Sequence, residues 1–220
     1  NMLIPELPTY ITQLGGAEYK GLIISLFTLT AGLSRPFSGK LADNIGRMPV
    51  MIFGAGICFI IGFLYPILTS VAGFLLLRFF HGFSTGFKPT GTVAYIADVI
   101  PASRRGEAMG IFGMMGSLGM AAGPAFGSWL ADSYSMNILF YGSSFVAILS
   151  VLILIGMKET LPNKKPMSLG LLKIDVADIY EPKVIHPSVV FLLSVISFGT
   201  ILTIIPDYSE FLGIQNKGLF

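Results

Sequence analysis

Charge is scarce in this chain of 220 residues. Asp, Glu, Lys and Arg make up 12% of it, about half of the roughly 25% usual in a soluble domain, and this excludes a surface wetted on all sides. Cysteine is nearly absent: the single Cys58 lies in an apolar run, which rules out a disulfide framework and a cysteine-built zinc centre. His81 and His186 stand far apart with no cysteine partner, so no metal and no other cofactor is expected. There is no Gly-x-x-x-x-Gly-Lys-Ser/Thr loop to cradle nucleotide phosphates, which argues against an ATP-driven machine. No nucleophile stands beside a candidate base, so no enzymatic activity is expected.

Apolar residues fill the gap, at 53% of the chain. The uncharged runs at residues 50–69 and 138–157 each approach the ~20 residues that a helix needs to cross ~30 Å of hydrocarbon. Residues 21–34, 72–97, 108–131 and 188–205 are similar but carry hydroxyls, small residues and a few charges, and are expected to span against protein rather than lipid. No strand-like alternation of ~10 residues appears, so a barrel is not indicated. Backbone satisfaction in lipid then leaves an all-α, polytopic membrane helical bundle. Residues 1–14 are expected to be the outer end of a first helix that begins earlier, and Leu219-Phe220 the opening of an eighth.

The basic residues set the orientation. Lys40, Arg47, Arg104, Arg105, Lys158, Lys164, Lys165, Lys173 and Lys183 fall on one side of the membrane, and Lys20 and Lys217 on the other. The positive-inside rule makes the first side cytoplasmic. A net charge of +2 is then a matter of topology, and no nucleic-acid partner is implied. A weak repeat gives the larger plan: Pro8-Thr9-Tyr10, Leu14-Gly15 and Lys20-Gly21-Leu22 return as Pro206-Asp207-Tyr208, Leu212-Gly213 and Lys217-Gly218-Leu219, with one residue deleted. The expected organisation is a bundle of six helices at residues 1–157 with an incomplete first helix, a cytoplasmic linker at 158–186, and the start of a second bundle at 187–220. Parallel repeats of this kind are a transporter design.

Three groups of residues carry the chemistry. On the fourth helix Arg78, His81, Thr85, Lys88 and Thr92 fall within ~80° of one another at ~100° per residue, forming one polar stripe. Charged side chains at such depth usually face a bundle interior or a wet cavity. Two readings of Lys88 stand open, a place in such a cavity and snorkelling to the inner headgroups. Arg78 is divided between a structural tie and a role in transport. His81 and Glu6, in the outer part of the first helix, are the candidate proton acceptors, and Glu6 sits at a depth that suggests pairing with Arg78. On the fifth helix Gly119, Gly123, Gly127 and Ala131 recur every fourth residue as a groove for close approach, with Pro124 permitting a bend. In the second helix Ser25, Thr28, Gly32 and Arg35 share a face, consistent with a helix that moves against protein.

The third group is the charged connection Gly39-Lys40-Leu41-Ala42-Asp43 with Gly46-Arg47. Together with Arg78-Phe79-Phe80-His81-Gly82 and Gly119-Met120-Ala121-Ala122-Gly123-Pro124-Ala125-Phe126-Gly127, it resembles the signatures of the major facilitator superfamily, in their order and on the matching helices. Departures are Asn44 and Met48, where that family more often carries basic residues, and His81, where Gln is usual. The resemblance implies that Asp43, Arg47 and Asp98 pair in the outward-open state and part when the cytoplasmic side opens, that the first, fourth and seventh helices line a central cavity, and that Gly123-Pro124 acts as hinge and seal. The fifth-helix signature implies a proton-coupled exporter of drugs or metabolites. The basic stripe favours a neutral or anionic solute. The expected protein is thus a multi-pass secondary transporter of the cytoplasmic membrane, with a small molecule, protons and lipid as its partners. A proton-coupled uptake permease for sugars or organic acids is the alternative, and a non-transporting scaffold or receptor a remote one.

Overall fold

The computed structural model describes residues 2–175 and 182–213, and all regular structure among them is helical. The helices are α1 (Leu7–Gln13), α2 (Lys20–Ile45), α3 (Arg47–Leu64), α4 (Val71–Val99), α5 (Arg105–Ser133), α6 (Met136–Ile155) and α7 (Ile185–Phe211). By length and composition Arg47–Leu64, Ala102–Ser133, Met136–Ile155 and Pro182–Ile201 can each cross a membrane. The more polar α2 and α4 pack against one another instead of presenting their whole surface to lipid. The eighth helix expected at residues 219–220 lies outside the described residues, as does Lys217.

Helix ends follow local chemistry. Ser70 and Ser135 cap the outer ends of α4 and α6, accepting from the Gly73 and Ile138 amides at 3.1 and 3.3 Å. The charged connection at residues 39–49 is not an extended loop: α2 continues to Ile45, α3 starts at Arg47, and only Gly46 interrupts them. Its φ of 124° is one that a side chain disfavours. At 26 residues α2 is about 39 Å long, longer than the ~30 Å of a hydrocarbon layer.

α4 is the central element, with α2 and α3 along it, α6 on α3, and α5 chiefly on α6. Lipid is as apolar as leucine, so this assembly rests on close packing and interhelical hydrogen bonds rather than on escape from water. The tightest contact is between α2 and α4. A Cβ on Gly86 would lie 2.8 Å from the Ala31 carbonyl oxygen and nearer still to Ser34 Oγ, and Ser38 Oγ donates to the Gly86 carbonyl at 2.8 Å. At the outer end, Tyr10, Tyr65, Phe74 and Phe140 form an aromatic plug with ring centroids 5.0–5.5 Å apart, sealed by Leu7, Ile11 and Leu139.

Two expected faces are arranged differently. α5 is exposed along most of its length; within its glycine groove Gly127 makes a close approach to the Met2 backbone, while a Cβ on Gly119 would meet nothing. α5 runs unbroken through Pro124. In α2 the buried face is Ile23, Thr30, Ala31, Ser34 and Ser38, whereas Ser25 and Thr28 are exposed and return their hydroxyls to their own helix.

Gly86→Ala in the full-length protein is expected to cost about 1–3 kcal/mol by overpacking the α2–α4 contact. The measurement is the midpoint of thermal unfolding in detergent, and an unchanged midpoint would mean that the two helices yield freely there.

Candidate functional site

The polar stripe of α4 divides into two stations on different sides of the helix bundle. In the outer half, Arg78 is 3% exposed, and its Nε donates to the Ile23 carbonyl at 3.1 Å. Its Nη1 reaches the Tyr65 hydroxyl at 3.5 Å, and its guanidinium lies 4.5 Å from the centre of the Phe27 ring. The same Tyr65 hydroxyl is 3.1 Å from His81 Nδ1, and Tyr10 donates to the Tyr65 carbonyl at 3.3 Å. A buried guanidinium is thus held by a carbonyl, a phenol and a π face, which together answer the cost of removing it from water. Glu6 is also buried, at 4% exposure, and accepts from Ser128 Oγ at 2.6 Å. The suggested pairing of Glu6 with Arg78 is not among the contacts of Arg78, because Arg78 turns toward α2 and Glu6 toward α5.

The second station lies deeper. Lys88 Nζ donates to Ser150 Oγ of α6 at 2.7 Å, and Thr92 returns its hydroxyl to the Lys88 carbonyl at 2.8 Å. Lys88 turns across the bundle toward α6, where it borders a cavity of about 570 Å³ that Cys58, Ser84, Thr85, Gly123 and Met2 also line. One cation among hydroxyls and methyl groups suits a neutral or anionic guest.

At the cytoplasmic end Asp43, Arg47 and Asp98 meet. Arg47 Nη1 bonds Asp43 Oδ1 at 2.9 Å and the Ala42 carbonyl at 2.5 Å, while its Nε bonds Asp98 Oδ2 at 3.0 Å. Gly39 lies on the preceding turn of α2 and Gly46 is the joint itself. Residues beyond α6 join this cluster. Glu159 Oε1 accepts from the Arg47 amide at 2.9 Å and Oε2 from the Met48 amide at 3.1 Å, satisfying the first two donors of α3. Thr160 Oγ1 donates to Asp98 Oδ2 at 2.7 Å, the oxygen that Arg47 Nε also uses. A Cβ on Gly46 would run into the Glu159 carboxylate. Burial alone would raise the Glu159 carboxyl, but the Leu161, Arg47, Met48 and Thr160 amides outweigh it and hold the group below its ordinary 4.5.

Tyr65, Ser128, Glu159 and Thr160 were not singled out by pattern. Tyr65 and Ser128 carry no periodic signal. Glu159 stands out only by position, as an acid at the exit of an apolar run on a face where basic residues dominate, and its partners cannot be read from that.

These features define a polytopic helical membrane protein with charged groups gathered at a buried outer station, beside a cavity and in a partly solvated clasp at the joint of α2 and α3. The chain belongs to the Major Facilitator Superfamily, whose family model matches residues 1–220. It is 30% identical over 181 residues to an uncharacterised MFS-type transporter of Methanocaldococcus jannaschii, covering 81% of this chain and 47% of that protein. It is 30% identical over 217 residues to multidrug resistance protein MdtG of Escherichia coli, covering 94% of this chain and 53% of that one. With multidrug resistance protein 1 of Bacillus subtilis it shares 26% over 199 residues, 90% and 51% of the two chains. The chain therefore spans about half the length of the curated relatives it matches.

Two outcomes are expected in the full-length protein. Tyr65→Phe leaves Arg78 and His81 without a shared hydroxyl at a dry site and costs about 1–3 kcal/mol, read as a lowered unfolding midpoint. Because the Glu159 carboxyl is held below 4.5, its contribution to stability is present above that pH and is lost as pH falls through the lower folded value. The stability gap between the parent and Glu159→Gln should thus stay constant from about pH 6 to about pH 8 and narrow only in acid.

Proposed function

We propose that this chain forms part of a secondary active transporter that works by alternating access and exports a small neutral or anionic drug or metabolite in exchange for protons across the cytoplasmic membrane. The observation that carries the reading is the clasp in which one guanidinium bridges Asp43 and Asp98, in a chain of this family with relatives named for multidrug resistance. A charge-assisted clasp of this kind biases a two-state gate by ~1–3 kcal/mol, enough to hold the cytoplasmic side shut without trapping it. Two six-helix halves, joined through the linker at 158–186, would rock about a site near the midplane. Lys88, with Thr85 and Thr92 on its helix, would attract the solute to the cavity, and Glu6 or His81 would take the coupling proton. Gly119, Gly123, Pro124 and Gly127 would give α5 a close-packing face against the second half. The basic cavity equally suits an organic acid taken up with protons, and this second reading differs in the direction of the solute and in moving it with the protons rather than against them.

The test is dissipation of a proton gradient by anionic, neutral and cationic solutes, in inverted vesicles carrying the full-length protein and its Lys88→Ala variant. Dissipation by anionic or neutral solutes that falls about tenfold or more in the variant is expected, since the lost attraction is of the order of a charge-assisted hydrogen bond. A response to cations alone would overturn the reading of the cavity.

A further inference from the structure

The acid that follows α6 has no part in the reading above, yet it holds the residue on which the clasp turns. We propose that Glu159 is a positioning residue of the cytoplasmic gate, and that the first turn of the segment after α6 belongs to that gate rather than to a passive connection. The proposal rests on the alternating-access reading.

Arg47 is fixed from both ends. Its backbone amide is bonded by Glu159, and its guanidinium spans Asp43 and Asp98. Because Arg47 is the first residue of α3 and Gly46 before it has no side chain to brace it, the carboxylate of Glu159 determines where the helix begins. A shift of that helical start carries the guanidinium away from its carboxylates. The adjacent Thr160 hydroxyl shares Asp98 Oδ2 with Arg47 Nε, so the segment touches both sides of the clasp.

The contacts continue down the segment. The Lys165 amide donates to the Asn44 carbonyl at 2.7 Å, and Lys40 Nζ donates to the Lys173 carbonyl at 2.7 Å. Leu171 packs on the apolar cluster of Leu41, Ala42, Val50 and Phe87 at the same end of α2, α3 and α4. Glu159 is therefore the head of a strap that runs from the exit of α6 across three helix ends. A solvated linker acid would leave α3 uncapped and Asp98 to Arg47 alone.

The experiment uses the full-length protein in a cysteine-free background, with a reporter cysteine at Ala42, which is 1% exposed at the cytoplasmic end, or at Ser25, on the exposed polar face near the outer end. Labelling by a membrane-impermeant maleimide is followed from the appropriate side. In Glu159→Ala, labelling at position 42 is expected to rise roughly tenfold while labelling at position 25 falls, because loss of charge-assisted capping shifts the gate toward its cytoplasm-open state. Glu159→Asp, which keeps the charge, should recover part of the parental pattern. A rise at both positions would mean a loosened fold and would overturn the gate assignment, as would no change at either. Arg47→Ala separates the two levels: a reciprocal shift there without one in Glu159→Ala defeats the Glu159 assignment alone. No reciprocal shift in Arg47→Ala defeats the gate reading, and the strap proposal falls with it.

Discussion

The distance between α2 and α4 governs everything else in this molecule. Where Gly86 meets the Ala31 carbonyl and the Ser34 side chain the two helices come close because the glycine adds no side chain of its own, and Ser38 ties the contact by bonding the Gly86 carbonyl. In lipid, where apolar surface gains nothing by leaving its solvent, such contacts do the work that hydrophobic burial does in water. The spacing set there brings the Ile23 carbonyl and the Phe27 ring within reach of Arg78. With α3 packed on the other side of α4, it also lets Arg47 reach Asp98.

Polar groups in this interior are few, and each is matched. Among the described residues no buried side-chain nitrogen or oxygen lacks a hydrogen-bond partner. The outer station is rigid by this criterion, since Arg78, Tyr65 and His81 share one hydroxyl and an aromatic wall. The cytoplasmic clasp is of another kind. Its members are partly solvated, with Asp43 most exposed of the three, so its bonds exchange with water at modest cost. A firm plug at one end and a releasable clasp at the other are the asymmetry that the proposed alternation between two states would need.

The helical class and the order of the helices along the chain were legible in the sequence, because hydropathy and charge placement are local quantities; helix ends were not, α2 running to Ile45 where the apolar run stops at residue 34. Residues 39–49 look like a loop by charge, but α2 runs on through them to Ile45 and α3 starts at Arg47. Periodicity aligned Arg78, His81, Thr85, Lys88 and Thr92 on one side of a cylinder, yet a stripe ~20 Å long passes different neighbours along its length. Its outer members therefore turn to α2 and α3, and Lys88 to α6. Glu159 was hidden for a further reason: its partners are backbone amides more than a hundred residues earlier in the chain, and amides leave no trace in the sequence.

The joint at Gly46 makes the junction of α2 and α3 a matter of phase. Two long helices separated by one residue have no slack in which to absorb a change of register. Adding or removing a single residue there would turn α3 by about 100° about its axis. Arg47 would then face away from both carboxylates while every apolar residue of α3 stayed apolar. The hydropathy of this region could drift widely over evolution, but its residue count could not.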